Sequence, residues 1–160
     1  MKAYRTNGAI GALLDEYQKA IFELQNVIKN VTKKQLISIT DPDTRDSDCR
    51  SIQTILTHVV RSGYYYVTAI RQSLGEKIDF IDGKILNNVE AYHTALDKMF
   101  AYNEQLFEDY PNIKIEEYDV SKKILVRWGQ LYDPEQILEH AIVHILRHRR
   151  QIERFLLKMD

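Results

Sequence analysis

Hydrophobic residues recur at three- and four-residue steps in four long stretches of the chain, which predicts four amphipathic helices. The first stretch runs from about Asn7 to Asn30, and the second starts near Ser51 and continues to Leu74. The third follows Asn87 or Asn88 and ends at Pro111, because proline cannot extend a helix. The fourth begins with Asp133-Pro134-Glu135-Gln136, which places an acidic cap before a helix-starting proline.

The segments between these stretches lack such periodicity. Thr40 to Arg50 is polar and is predicted to be a loop, and Gly75 to Asn88 is a connector with a turn at Asp82-Gly83. Residues 112–132 contain short apolar runs that fit either a small hairpin or an irregular crossover. We therefore predict an all-α fold, a four-helix bundle with at least one crossover connection, as a single domain over residues 1–160.

Composition and charge argue against some classes of function but do not identify a function. The 160 residues carry a formal charge of −1 and no recognition motif, which argues against nucleic-acid binding. No stretch approaches 18 consecutive apolar residues, so no membrane-spanning helix is expected. Cys49 is the single cysteine, and the first residues lack the apolar run of a signal peptide, so we predict a cytoplasmic protein.

Histidines are the main candidates for chemistry. His140, His144 and His148 follow one another at four-residue steps in the fourth helix, and His58 lies in the second. Imidazoles one turn apart can bind the same metal ion. His140 and His148 are about 12 Å apart along the axis, so the chelating pair is either His140/His144 or His144/His148. His93 falls off the apolar stripe and is predicted to be a surface residue.

A structural explanation competes with metal binding. Buried histidines can simply hydrogen-bond to their neighbours, although each unpaired ring nitrogen costs about 1–3 kcal/mol. His144 and His148 share the inward face of the fourth helix with Ile137, Ala141 and Ile152, where a core residue is normally found.

Few other side chains are placed to assist. Glu139 is predicted to point away from the histidines, and no other carboxylate is evident as a general base. Cys49 is nine residues before His58, which corresponds to roughly 13 Å along a helix axis. His58 is therefore too far away to act as its base, and Cys49 is not expected to be catalytic. Gln151 either orients a histidine or lies on the surface. Trp128 either forms the wall of a pocket or plugs the core, and we predict the second role. Two roles are possible for the arginines at positions 147, 149, 150 and 154. Their positive charges either interact favourably with the negative end of the helix dipole or form a basic rim that attracts an anionic substrate.

Two motifs resemble those of the DinB/YfiT-like family of bacterial four-helix proteins. Residues 51–58, Ser-Ile-Gln-Thr-Ile-Leu-Thr-His, resemble the family's serine-initiated second helix with its first ligand histidine. Residues 144–152 resemble the fourth-helix signature, a histidine, three residues, then His-Arg-Gly-Gln-Ile. The chain departs from this signature at Arg150, where the family usually has glycine.

The resemblance implies a fuller set of expectations. It implies an up-down-down-up bundle, Zn or Ni bound by His58, His144 and His148, and a homodimer. It leaves His140 outside the ligand set. Family members include hydrolases and thiol-dependent transferases, so a small-molecule substrate and a low-molecular-weight thiol are the expected partners.

We therefore predict a metal-dependent enzyme, either a hydrolase or a small-thiol-dependent S-transferase. A three-histidine site leaves an open metal position at which water or a thiol can be activated. The alternative is a non-catalytic, metal-stabilised binding or stress-response protein in which the same histidines tie two helices together. A histidine phosphotransfer domain fits less well, because it needs one exposed histidine rather than three in a row.

Overall fold

The computed structural model describes residues 4–159, which form a mostly helical structure. The helices are α1 (Gly8–Ile28), α2 (Lys33–Ile37), α3 (Ile52–Ser73), α4 (Val89–Asp109) and α5 (Pro134–Met159), of which α2 alone is short. Two-residue strands β1 (Ile124–Leu125) and β2 (Leu131–Tyr132) complete the regular structure, with 3-10 turns at Ser47–Cys49 and Val120–Lys122. The four long helices confirm the prediction of a helical protein.

Three of the long helices, α3, α4 and α5, begin where side chains satisfy the first backbone N–H groups. Ser51 accepts a hydrogen bond from the Thr54 backbone N–H, while the Thr54 hydroxyl bonds back to the Ser51 backbone, which completes a capping box. Asn88 caps α4 through the Ala91 N–H. Asp133 and Gln136 form the same reciprocal pair at the start of α5. These three predicted starts are confirmed together with their caps, whereas α1 starts after Asn7 without a capping hydrogen bond from its side chain.

The long helices share one hydrophobic core. Helix α1 packs on α5 and α4, and α3 packs on α4 and α5. Leu24, Leu56 and Leu96 come from three different helices and are all 0% exposed. Helix α3 approaches α4 so closely that a Cβ on Gly63 would lie 2.2 Å from Met99 Sδ. The contact of α3 with α5 matters most for function, because both helices carry histidines.

The region 112–132 contains both features that its sequence suggested. Most of it is irregular, and β1 and β2 pair antiparallel, with Ile124 opposite Tyr132. Gly129 takes a positive φ of 87° in the turn between them, a conformation that favours glycine. The Arg127 backbone N–H donates to the Tyr65 hydroxyl at 2.8 Å, which fixes the hairpin against α3.

Within residues 4–159, no helix is both long enough and apolar enough to cross a lipid bilayer.

The capping box at Ser51 gives a first testable prediction. Ser51→Ala removes the oxygen that accepts the Thr54 N–H, so we expect the free energy of unfolding to fall by about 1 kcal/mol. Urea denaturation followed by circular dichroism measures this change. Ser73→Ala, at the exposed other end of α3, is the matched control and should change stability by less than about 0.5 kcal/mol. Equal losses in the two variants would contradict a capping role.

Candidate metal centre

Three histidine side chains from two packed helices meet at one point. His58 extends from α3, and His144 and His148 extend from consecutive turns of α5. His144 Nε2 lies 2.9 Å from His58 Nε2 and 3.2 Å from His148 Nε2. One ring nitrogen from each residue lies within 4.8 Å of the others. The three side chains are thus close enough to hold a single metal ion.

These separations suit a transition metal. Zn–N bonds of about 2.1 Å in tetrahedral geometry put ligand nitrogens about 3.4 Å apart. The two distances from His144 Nε2 are a few tenths of an ångström below this value, and the remaining nitrogen separation is within 4.8 Å. Coordination of one ion by all three nitrogens would therefore require the rings to shift until the separations are equal.

Hydrogen bonds on the far side of two rings set their orientation and tautomer. His58 Nδ1 lies 3.1 Å from Asp48 Oδ2, which can only accept a hydrogen, and 3.2 Å from Arg61 Nη2, which can only donate one. Arg61 Nη2 makes its shorter contact with Asp48, at 2.5 Å, so we assign the hydrogen between His58 and Asp48 to Nδ1. His148 Nδ1 lies 3.1 Å from Gln151 Oε1, which is likewise an acceptor. With this assignment, both rings carry their hydrogen on Nδ1 and direct the Nε2 lone pair toward the centre, as metal ligands do.

With this arrangement, the centre contains fewer N–H groups than lone pairs that need a hydrogen-bond donor. The Nε2 lone pairs of His58 and His148 both face Nε2 of His144. That nitrogen carries at most one hydrogen when the ring is neutral, and it can satisfy only one of the two neighbours. A bound cation removes this conflict because it accepts all three lone pairs. The donor set therefore fits a divalent transition metal better than it fits a closed hydrogen-bond network.

The histidines are also held in the neutral form that metal binding requires. Burial, assisted by the neighbouring imidazoles, lowers the pKa of His144 to about 2. Burial and the proximity of His58 lower the pKa of His148 to about 4. Burial also lowers the pKa of His58, although Asp48 opposes the shift. Near neutral pH the three rings are therefore neutral, so an ion does not have to displace the second proton of an imidazolium.

Asp48 is a candidate site residue that the sequence did not indicate. It lies in the 3-10 turn Ser47–Cys49, which packs against α3 and brings the carboxylate to His58. The Arg61 guanidinium donates to the same carboxylate oxygen at 2.5 Å. Glu139 is exposed on α5, as predicted. A carboxylate does lie beside the histidines, but on the far ring nitrogen rather than at the centre.

Cys49 lies in the same turn and is buried, with 6% of its surface exposed. Burial raises the pKa of its thiol to about 11. The Asp46 carboxylate, 3.4 Å from Sγ, acts in the same direction because it disfavours a second negative charge. This environment does not favour a thiolate, and it agrees with the expectation that Cys49 is not a nucleophile.

His140 has a different environment from its two neighbours on α5. Its ring stacks on Trp128 with centroids 4.4 Å apart, and it lies outside the cluster of three. Of the two possible chelating pairs, His144/His148 is the one that His58 joins. The prediction that Trp128 plugs the core is wrong, because 37% of this residue is exposed and it packs over His140. His93 is half-buried on α4, so its placement as a surface residue was only partly right.

Comparison of the chain with protein-family models, curated proteins and solved structures gives no match. The DinB/YfiT-like resemblance thus remains a prediction that depends on the two motifs.

The bond between Asp48 and His58 gives the second prediction. Asp48→Asn weakens the acceptor that holds His58 in its metal-binding tautomer, so we expect the affinity for Zn²⁺ to fall by about ten- to a hundredfold. Competition with a chromophoric chelator measures the dissociation constant. Asp43→Asn removes one charge from the same loop at an exposed position and serves as the control. An Asp48→Asn affinity equal to that of the control would exclude this role.

Proposed function

We propose that His58, His144 and His148 bind one divalent transition metal, Zn or Ni, in a DinB/YfiT-like bundle of up-down-down-up topology with crossover connections. The convergence of three Nε2 atoms, two of them with tautomers fixed by Asp48 and Gln151, is the observation that carries the proposal. Imidazole ligands suit both metals. The motif resemblance supports the bundle topology and a homodimer.

We further propose that the protein is a metal-dependent enzyme that transfers the sulfur of a small thiol to an electrophile. A divalent metal held by three imidazoles retains an open position, where it lowers the pKa of a bound thiol or water. In the transfer, the thiol loses its proton to solvent, a sulfur–carbon bond forms, and the bond from that carbon to its leaving group breaks. The leaving group departs with the electron pair of the broken bond.

The surroundings of the centre favour a thiol over water as nucleophile. A hydrolase usually has a side chain that takes the proton of the attacking water. Asp48 is engaged by His58 Nδ1 and Arg61, and Asp46 caps the 3-10 turn and contacts Cys49. These two carboxylates are therefore occupied elsewhere. A thiol, whose pKa is already much lower than that of water, reacts without such a base.

A non-catalytic, metal-stabilised binding protein is the second candidate. The links that the three histidines make between α3 and α5 support it, because a bound ion would hold the two helices together whether or not it reacted. A hydrolase acting through activated water is the third. Activity measurements separate all three.

Metal content is the direct test of the site. We expect protein purified without a polyhistidine tag to contain about one transition metal ion per chain by elemental analysis. His144→Ala removes the nitrogen that lies between the other two, so its metal content should fall close to zero. His140→Ala and His93→Ala should keep the metal, because neither residue belongs to the cluster. Metal-free protein after metal-replete growth would refute the proposal.

Activity is tested separately on the metal-loaded protein. We expect metal-dependent formation of thioether conjugates when small thiols and alkyl electrophiles are supplied, measured by mass spectrometry. His144→Ala should reduce the rate to that of the uncatalysed reaction, whereas His93→Ala should leave it unchanged. Ester or amide hydrolysis without thiol would favour the hydrolase. Tight metal binding with no turnover of either kind would favour the binding protein.

A further inference from the structure

Three arginines of α5 lie on one face of the helix beside the candidate metal centre. Arg147, Arg150 and Arg154 are spaced by three and four residues, so their side chains share a face. Together with Gln151 they line a cavity of about 470 Å³, and no acidic side chain lines it. We call these three residues the arginine face. The cavity is open to solvent, since all three arginines are exposed, and its volume falls within the range of small-molecule sites.

The arginine face has no partner among the residues that the structure describes. Four other arginines each contact a carboxylate, namely Arg5, Arg61, Arg71 and Arg149. Arg149 belongs to α5 as well, but it points to Glu23 and Glu153 and is not part of the cavity. No carboxylate among residues 4–159 forms an ion pair with Arg147, Arg150 or Arg154.

Helix stability does not account for this cluster. The favourable effect of a positive charge on the helix dipole is confined to about the last turn. Helix α5 continues to Met159, so Arg147 lies about three turns before its end. Like charges three or four residues apart on a helix destabilise it by a few tenths of a kcal/mol per pair. The cluster therefore lowers the stability of the helix slightly, and a bound anionic ligand would reduce the repulsion between its charges.

Gln151 connects the cavity to the histidines. It lines the cavity between the arginines, and its Oε1 accepts the hydrogen of His148 Nδ1 at 3.1 Å. A molecule in the cavity thus lies one side chain away from a residue of the metal centre.

We propose that the arginine face and Gln151 form a binding site for the anionic oxygens of the substrate or thiol. The guanidinium fork matches carboxylate and phosphate geometry, so the ligand class is a small molecule with two or more such groups. Binding of the anion needs only the cavity, whereas its role in catalysis rests on the proposed function.

The test measures anion binding by isothermal titration at constant ionic strength. Succinate and citrate represent carboxylates, inorganic phosphate represents phosphoryl groups, and chloride is the monovalent reference. We expect saturable binding of either the carboxylates or phosphate to the wild type, and the preferred probe identifies the ligand's anionic group. Arg150→Gln/Arg154→Gln should weaken that binding by about tenfold or more. No saturable binding by any multivalent probe would overturn the proposal.

A matched variant controls for the loss of charge. Arg45→Gln/Arg50→Gln also removes two exposed arginines, outside the cavity, and should bind the probe as tightly as the wild type. Equal weakening in both double variants would overturn the proposal, because it would indicate attraction by overall charge alone.

His144→Ala separates this inference from the proposed function. It should keep the anion site while losing the metal, so anion binding is measurable even if the metal proposal fails. Loss of anion binding in His144→Ala would overturn the assignment to the arginine face.

Discussion

The contact between α3 and α5 is the constraint on which the candidate site depends. His58 and His144 are 86 residues apart in the chain, yet their ring nitrogens approach to 2.9 Å because the two helices pack side by side. Apolar residues of the two helices, such as Val59, Ala141 and Ile145, are buried, and their burial supplies free energy that holds the helices together. Apolar packing therefore brings the histidines together, and the helix contact does not depend on the histidines themselves.

Polar groups in this position work against stability in the metal-free chain. His148 is 2% exposed, and burial keeps its ring neutral. The two imidazole lone pairs that face His144 cannot both accept the single hydrogen that it can offer. One buried lone pair is then left without a hydrogen bond, which lowers the free energy of unfolding. Natural chains accept such local conflict mainly where function requires it. The conflict is the strongest physical argument that the three rings do more than fill space.

The sequence predicts the long helices well, because their starts depend on caps and their faces on periodicity. It also predicts which α5 histidines can share an ion, since the spacing fixes their separation, although the choice between two pairs needed the motif resemblance. Asp48 could not be predicted, because its position depends on the path of a loop. Backbone N–H groups of Thr40 and Asp41 donate to the Arg50 carbonyl and fold that loop back. Trp128 was misplaced for the same reason, since residues 112–132 lack a periodic pattern.

The far-side acceptors have a consequence for how the centre takes up an ion. Asp48 and Gln151 hold two imidazoles in their coordinating orientation before any ion arrives. A preorganised centre loses little side-chain entropy on loading, and the helices need not rearrange. Capture and release then depend on ligand exchange at the ion itself, and the empty and loaded forms should have nearly the same backbone.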